Sequence, residues 1–314
     1  MGAMSESTWL SIRTTGMDVP TDRPLDEMTA ELVQMLGDPS PRLREELAYP
    51  ILTAWLQRGV YDDLLSGLGD GIVSGLGHGL GHDGDSSVIR RSYSALMLAE
   101  IVGRDNDVGL VQSASVLAWG DAATSWYVRE FDHRGWIPEI GWAHAIAHGA
   151  DLLAALARSR HFGALELTVL LDVVADRVLA PTAYAWRHGE DDRLAFAVMT
   201  LLHRNALDTS LVEPWLARLG AGLQPPRTRG HLDAEWPTTE ARNTSAFLRA
   251  LHLQLALGVQ GRPDLRGDVD LFAEQPADRA DLLLAVLDQI RAESPWLYRP
   301  TSRTPVPTTR PTTL

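Results

Sequence analysis

The chain of 314 residues contains no cysteine, which removes disulfides, thiolate nucleophiles and cysteine-ligated zinc or iron–sulfur clusters together. It contains no lysine either, so all of its fixed positive charge is arginine. Schiff-base chemistry, a pyridoxal-phosphate anchor and a Walker A loop each need the lysine amine and are excluded. No apolar run reaches the roughly 18 residues needed to cross a bilayer. The start has neither the basic region nor the apolar stretch of a signal peptide. No membrane partner is expected, and the expected location is cytoplasmic. No segment gathers arginines with interleaved aromatics, and a formal net charge of −13 repels a polyanion, so nucleic acid is not an expected partner.

What is present is an ordinary globular composition, 45% hydrophobic, with enough length to bury a large core. Apolar residues recur at helical spacing, and β-branched runs bounded by turn residues are scarce. The fold class read from this pattern is all-α. Helices are expected to begin near Leu25, Pro41, Tyr61, Val88, Val108, Trp142, Leu165, Asp191, Leu211, Thr239 and Arg279, with Gly, Pro or Asp/Asn punctuation between most of them. Paired antiparallel helices recurring at roughly 45 to 55 residues point to a HEAT- or armadillo-like α-solenoid. Leu36-Gly-Asp-Pro-Ser-Pro-Arg-Leu-Arg44 resembles the opening of a HEAT repeat.

The expected organisation is a tail over residues 1–24, one helical repeat domain over 25–298, and a Pro/Thr-rich disordered tail over 299–314. Met1-Gly-Ala-Met4 reads as a cloning remnant ahead of a start at Met4. The stretch from Gly220 to Pro237 reads as a connector, long enough to act as a lid. The Gly-rich segment from Gly75 to Asp85 has a formal Gly-x-Gly-x-x-Gly, but no strand precedes it, and it reads as a flexible connector.

The densest chemistry lies between Glu130 and Asp151. On a helix at about 100° per residue, His144, His148 and Asp151 fall within roughly 60° of one another, and alanines keep the rest of the surface small. Three readings remain open. Two imidazoles at i and i+4 with Asp151 match the two-histidine, one-carboxylate sets that hold zinc, iron or manganese. Ala145 stands where a zincin has its catalytic glutamate, so zincin-type proteolysis is not supported. In an acid–base reading Asp132 or Asp151 orients His144 or His148, Arg134 holds an anionic group, and Trp136 and Trp142 form apolar walls. Ser92 or Ser94 as a nucleophile lacks a Gly-x-Ser-x-Gly elbow. In the third reading Asp132, Arg134, His144, His148 and Asp151 form a buried, mutually satisfied network that fastens the loop to adjacent helices.

Arg-Gly-Trp-Ile-Pro at 134 to 138, followed by Gly-Trp-Ala-His-Ala-Ile-Ala-His-Gly-Ala-Asp-Leu-Leu at 141 to 153, resembles the signature of a bacterial family known only as a domain of unknown function. Arg91, Glu130, Asp132 and the Asp192-Arg193 pair belong to the same resemblance, which covers roughly residues 30 to 260. It implies a helical, HEAT-like fold and no particular activity. The expected function is therefore binding of a small molecule or peptide in a concave pocket lined by Trp136, Trp142, Arg134, Glu130, Arg91 and the His/Asp set. A hydrolase- or cyclase-type enzyme and a protein–protein adaptor are the alternatives. The acidic balance favours neutral or cationic partners.

Overall fold

The helix Ala145–Arg158 is apolar almost all round, and its sequence AIAHGADLLAALAR leaves most of its residues buried. A helix of that composition is stable only with neighbours on several sides, and this computed structural model supplies four. The structure describes residues 4–225 and 236–298, apart from 262, 264 and 266. In chain order the helices are α1 (Glu6–Thr14), α2 (Leu25–Met35), α3 (Tyr49–Gln57), α4 (Leu65–Val73), α5 (Ser87–Val108), α6 (Ser113–Arg129), α7 (Ala145–Arg158), α8 (Ala164–Leu179), α9 (Glu190–His203), α10 (Thr209–Ala221), α11 (Thr239–Leu257), α12 (Asp268–Leu271) and α13 (Arg279–Glu293). The fold is all-α. The exception among the described residues is a hairpin of two short antiparallel strands, β1 (Trp136–Ile137) and β2 (Gly141–Trp142).

The helices contact one another in two rows. In one, α5 packs on α7, α7 on α9, α9 on α11 and α11 on α13; in the other, α4 packs on α6, α6 on α8 and α8 on α10. Helix α7 touches α6 and α8 as well as α5 and α9, which explains its all-round apolar surface. Local sequence sets the ends. Helix α5 stops at Gly109, whose φ of 74° a β-carbon would resist, and its amide bonds Asp105 O at 2.8 Å. Helix α9 starts with Glu190, Asp191 and Asp192 on the positive end of its dipole. A π-helical turn over Arg42–Ala48 leads into α3 and brings the Arg44 guanidinium inward, where it binds Asp38 O at 2.7 Å and Ile140 O at 2.8 Å.

Several expectations shift. Residues 5–24 are not simply a tail. Helix α1 is seated by Trp9 and Ile12, and the Trp9 and Trp55 rings lie 6.4 Å apart. No helix begins at Val108, where α5 ends; α6 starts at Ser113. The helix expected from Trp142 starts at Ala145, because Gly141 and Trp142 form a strand and His144 is left-handed. The Gly-rich segment is anchored, with a 3₁₀ turn over Ser74–Gly77 and carbonyls of His78, Gly79 and His82 bound by Arg91. The tail over 299–314 lies outside the described residues, as do residues 226–235 of the connector. No helix among the described residues is long and apolar enough to cross a membrane.

Candidate functional site

The turn between α6 and α7 is built by pairing Trp136 with Trp142 and Ile137 with Gly141 across the hairpin. Ala143 N donates to Gly135 O at 2.8 Å, which folds the chain back under the strands. His144 follows with φ 52° and caps α7, its carbonyl receiving the His148 amide at 2.8 Å. A left-handed non-glycine residue is uncommon and costs about 1 kcal/mol or more. The His144 ring still meets that of His148 edge to face, with centroids 5.7 Å apart.

The residues of the His144, His148 and Asp151 stripe have different hydrogen-bond partners. His148 is buried, and its Nδ1 lies 2.8 Å from Ser92 Oγ. Ser92 also contacts Ala143 O, which can only accept. The serine proton therefore goes to the carbonyl, and His148 Nδ1–H donates to Ser92, leaving Nε2 as the acceptor of the ring. A hydroxyl so committed and buried is not placed as a nucleophile. Asp151 forms a two-pronged pair with Arg193 of α9, with Arg193 Nε to Oδ1 at 2.9 Å. Asp132 receives Arg134 Nε at 2.8 Å and Nη2 at 2.5 Å, together with Gly84 N at 3.2 Å. These contacts of the two aspartates are with arginines and a backbone amide. Arg134 is bound to Asp132 and to Asp85 O.

Arg91 and Glu130 form the most enclosed ion pair of the site, fully buried, with Nε to Oε2 at 2.5 Å and Nη2 to Oε1 at 2.8 Å. Trp126 Nε1 and the Asp132 amide add donors to the same carboxylate. With every donor and acceptor engaged, the pair fastens the Gly-rich segment and the end of α6 to α5. It does not offer a ligand contact. Trp136 is about half exposed and meets Trp142 edge to face with centroids 4.8 Å apart. Ser94 lies against Gly75, and His203 packs on the Phe272 ring at 4.8 Å.

The structure assembles around His144 two residues that the sequence reading had not joined to it. Among the described residues, one ligand atom each from His144, His188 and Glu190 lies within 4.8 Å of the other two. Trp142 covers one side, 4.3 Å from the His144 ring and 5.2 Å from that of His188. Glu190 is fully buried, and its Oε2 accepts the backbone amides of Arg187 at 3.0 Å and His188 at 2.8 Å. Tyr184 OH lies 2.9 Å from His188 Nδ1. Burial, reinforced by Arg193 and then His188, pushes His144 down to about 4, and burial with Arg193 and His144 holds His148 well below the usual imidazole range. Both rings are neutral at pH 7. Glu190 sits with Arg193 on a later helix that a repeat fold can set against α7, whereas His188 carries no such signal, since more than 40 residues of sequence separation conceal a contact made by packing.

The set first expected to hold a metal, His144 with His148 and Asp151, is corrected accordingly. Asp151 is paired with Arg193, and the ligand atoms that gather with His144 come from His188 and Glu190 instead.

A cavity of about 470 Å³ runs along α3, α5, α7 and α9. Tyr49, Glu100, Asp151, Arg158, Arg193 and Phe196 are among its walls. Asp151 is the one residue of the sequence-derived set on it among the described residues. Tyr49 OH donates to Glu100 at 2.9 Å, and Arg158 pairs with Asp268 at 2.8 Å. The Asp151–Arg193 pair thus belongs to the groove, while Arg193 also acts electrostatically on His144 and His148.

No curated protein and no solved structure matches the chain. A family model spans α5 to α10 entire and most of α11, with the hairpin, His144 and His148 inside it: the chain belongs to the family described as Protein of unknown function (DUF2785), over residues 76–253.

Proposed function

We propose that the two rows of helices form a HEAT-like α-solenoid and that the protein binds a small molecule or short peptide in the groove along α3, α5, α7 and α9. The observation that carries this reading is the cavity itself. Its volume of about 470 Å³ lies in the range of small-molecule sites, and it combines apolar wall with a few fixed polar groups. Solenoids present such grooves along one row of helices. The Asp151–Arg193 and Arg158–Asp268 pairs present both signs of charge, which favours a ligand that carries both.

The test is a ligand-observed NMR screen of zwitterionic small molecules and short peptides. Hits are then titrated against Phe196→Ala, Arg193→Met and Trp136→Ala. A binder that weakens at least about tenfold, roughly 1.4 kcal/mol, in the first two and is unchanged in the third supports the groove. A screen without binders, or binders indifferent to Phe196 and Arg193, overturns it.

A second reading is hydrolase- or cyclase-type chemistry at His144 and its neighbours. It is favoured by one observation: His144 Nε2 and Glu190 Oε1, in the same group of three side chains, are buried without hydrogen-bond partners. Buried ligand-type atoms left open cluster at functional sites.

A further inference from the structure

Burying a polar atom without a partner costs about 1–3 kcal/mol, and more when the group is a carboxylate. Two such atoms, His144 Nε2 and Glu190 Oε1, occur within the same group of three side chains. His188 does not relieve the carboxylate, because its Nδ1 stands 3.8 Å from Glu190 Oε1, beyond hydrogen-bond length. The backbone keeps the space open. A β-carbon on Gly135 would lie 2.5 Å from His188 Nδ1, 2.8 Å from Tyr184 OH and 2.9 Å from Glu190 Oε1, so any larger residue would fill the place where these atoms converge.

We propose that His144, His188 and Glu190 bind one divalent first-row transition metal ion, of the zinc, iron(II) or manganese(II) class. Two imidazole nitrogens and one carboxylate oxygen are borderline donors that suit these ions better than calcium or magnesium, which prefer oxygen throughout. Three protein ligands leave at least one position for water or a ligand, as in catalytic rather than structural centres. A tetrahedral ion about 2.1 Å from each donor sets the donors about 3.4 Å apart. The observed spread of up to 4.8 Å therefore closes by modest rotation of His144 and His188, both of which are only partly buried. Tyr184, whose hydroxyl lies 2.9 Å from His188 Nδ1, holds that ring in place as an outer partner of a ligating histidine does. The left-handed backbone at His144 has a role in the same arrangement, because it places that ring beside His188, with centroids 6.0 Å apart. This proposal is independent of the groove: a metal can bind whether or not an organic ligand does.

The experiment is a titration of chelator-stripped, full-length protein with zinc chloride and, separately, cobalt(II) chloride, read by calorimetry and by cobalt absorption. The wild type, His144→Ala, His188→Ala and a surface control, His82→Ala, are compared after circular dichroism has shown each to be folded. One equivalent bound, with affinity reduced at least about 100-fold in both site variants and unchanged in the control, is the expected result. Absence of binding in the wild type overturns the proposal, as does full binding by the folded site variants. Loss in His82→Ala alone transfers the metal to the Gly-rich segment and overturns it as well. Should a site variant fail to fold, cobalt-induced paramagnetic shifts of the His144 and His188 imidazole signals decide in the wild type, and unshifted signals refute the site.

Discussion

His133 shows at the residue scale how burial becomes a dependence on pH. Its Nε2–H donates to Glu130 O at 3.1 Å while Nδ1 is enclosed without a partner. Burial, with Arg177 nearby, pushes the ring down to about 4. In the unfolded chain the same ring titrates near 6.5. Between those values the unfolded state binds a proton that the folded state refuses, so stability is complete above about pH 6.5 and falls as the pH is lowered toward 4. The loss approaches roughly 3 kcal/mol for His133 at the acid end, and His148, lowered in the same direction, adds to it. Urea midpoints measured from pH 8 to 4.5 are expected to decline across this window, and less steeply in His133→Gln. An identical slope in the variant would remove His133 from the account. His144, His148, Asp132 and Asp151 were visible in the sequence as chemistry-bearing residues. Ser92 and Arg193 were visible too, but which of these residues each one bonds was not, because those contacts are made only through packing and one left-handed residue.

Among the elements, the contact of α6 with α7 depends on one glycine. A β-carbon on Gly149 would lie 2.1 Å from the Tyr127 ring, which is itself buried and held by its hydroxyl to Ile146 O at 2.7 Å. In an isolated helix Gly→Ala gains up to about 1 kcal/mol. Here overlap with a ring that cannot swing away outweighs that gain. Gly149→Ala is expected to destabilise by about 1–3 kcal/mol, measurable as a lower urea midpoint, and a stabilised variant would mean that α6 shifts freely. Legibility varied in the same way among the helices. Long periodic helices such as α5 and α11 were readable within a few residues. Helix α1 was not, because Trp9 and Ile12 give it only two buried positions in a polar segment, and its stability comes from Trp55 on α3 rather than from its own pattern. The hairpin was missed because strands of two residues carry no alternation.

Across the whole molecule, neighbours are unevenly distributed. Helix α7 is enclosed by α5, α6, α8 and α9, whereas α1 and α13 close the two ends. Amide hydrogen exchange is therefore expected to be slowest in α7 and the facing turns of α5 and α9, and fastest in α1 and α13. Uniform protection along the chain would show that the rows open as one unit. The sequence by itself determined the all-helical class, the exclusion of cysteine and lysine chemistry, and the concentration of polar side chains between Glu130 and Asp151, because composition and 3.6-residue periodicity are local properties. Only the tertiary structure decided which of those side chains fasten the framework and which are left with open ligand atoms. The burial of Arg91 with Glu130, the pairing of Asp151 with Arg193, and the meeting of His144 with His188 and Glu190 each join residues about 40 positions apart. Spacing within one helix holds no information about such contacts.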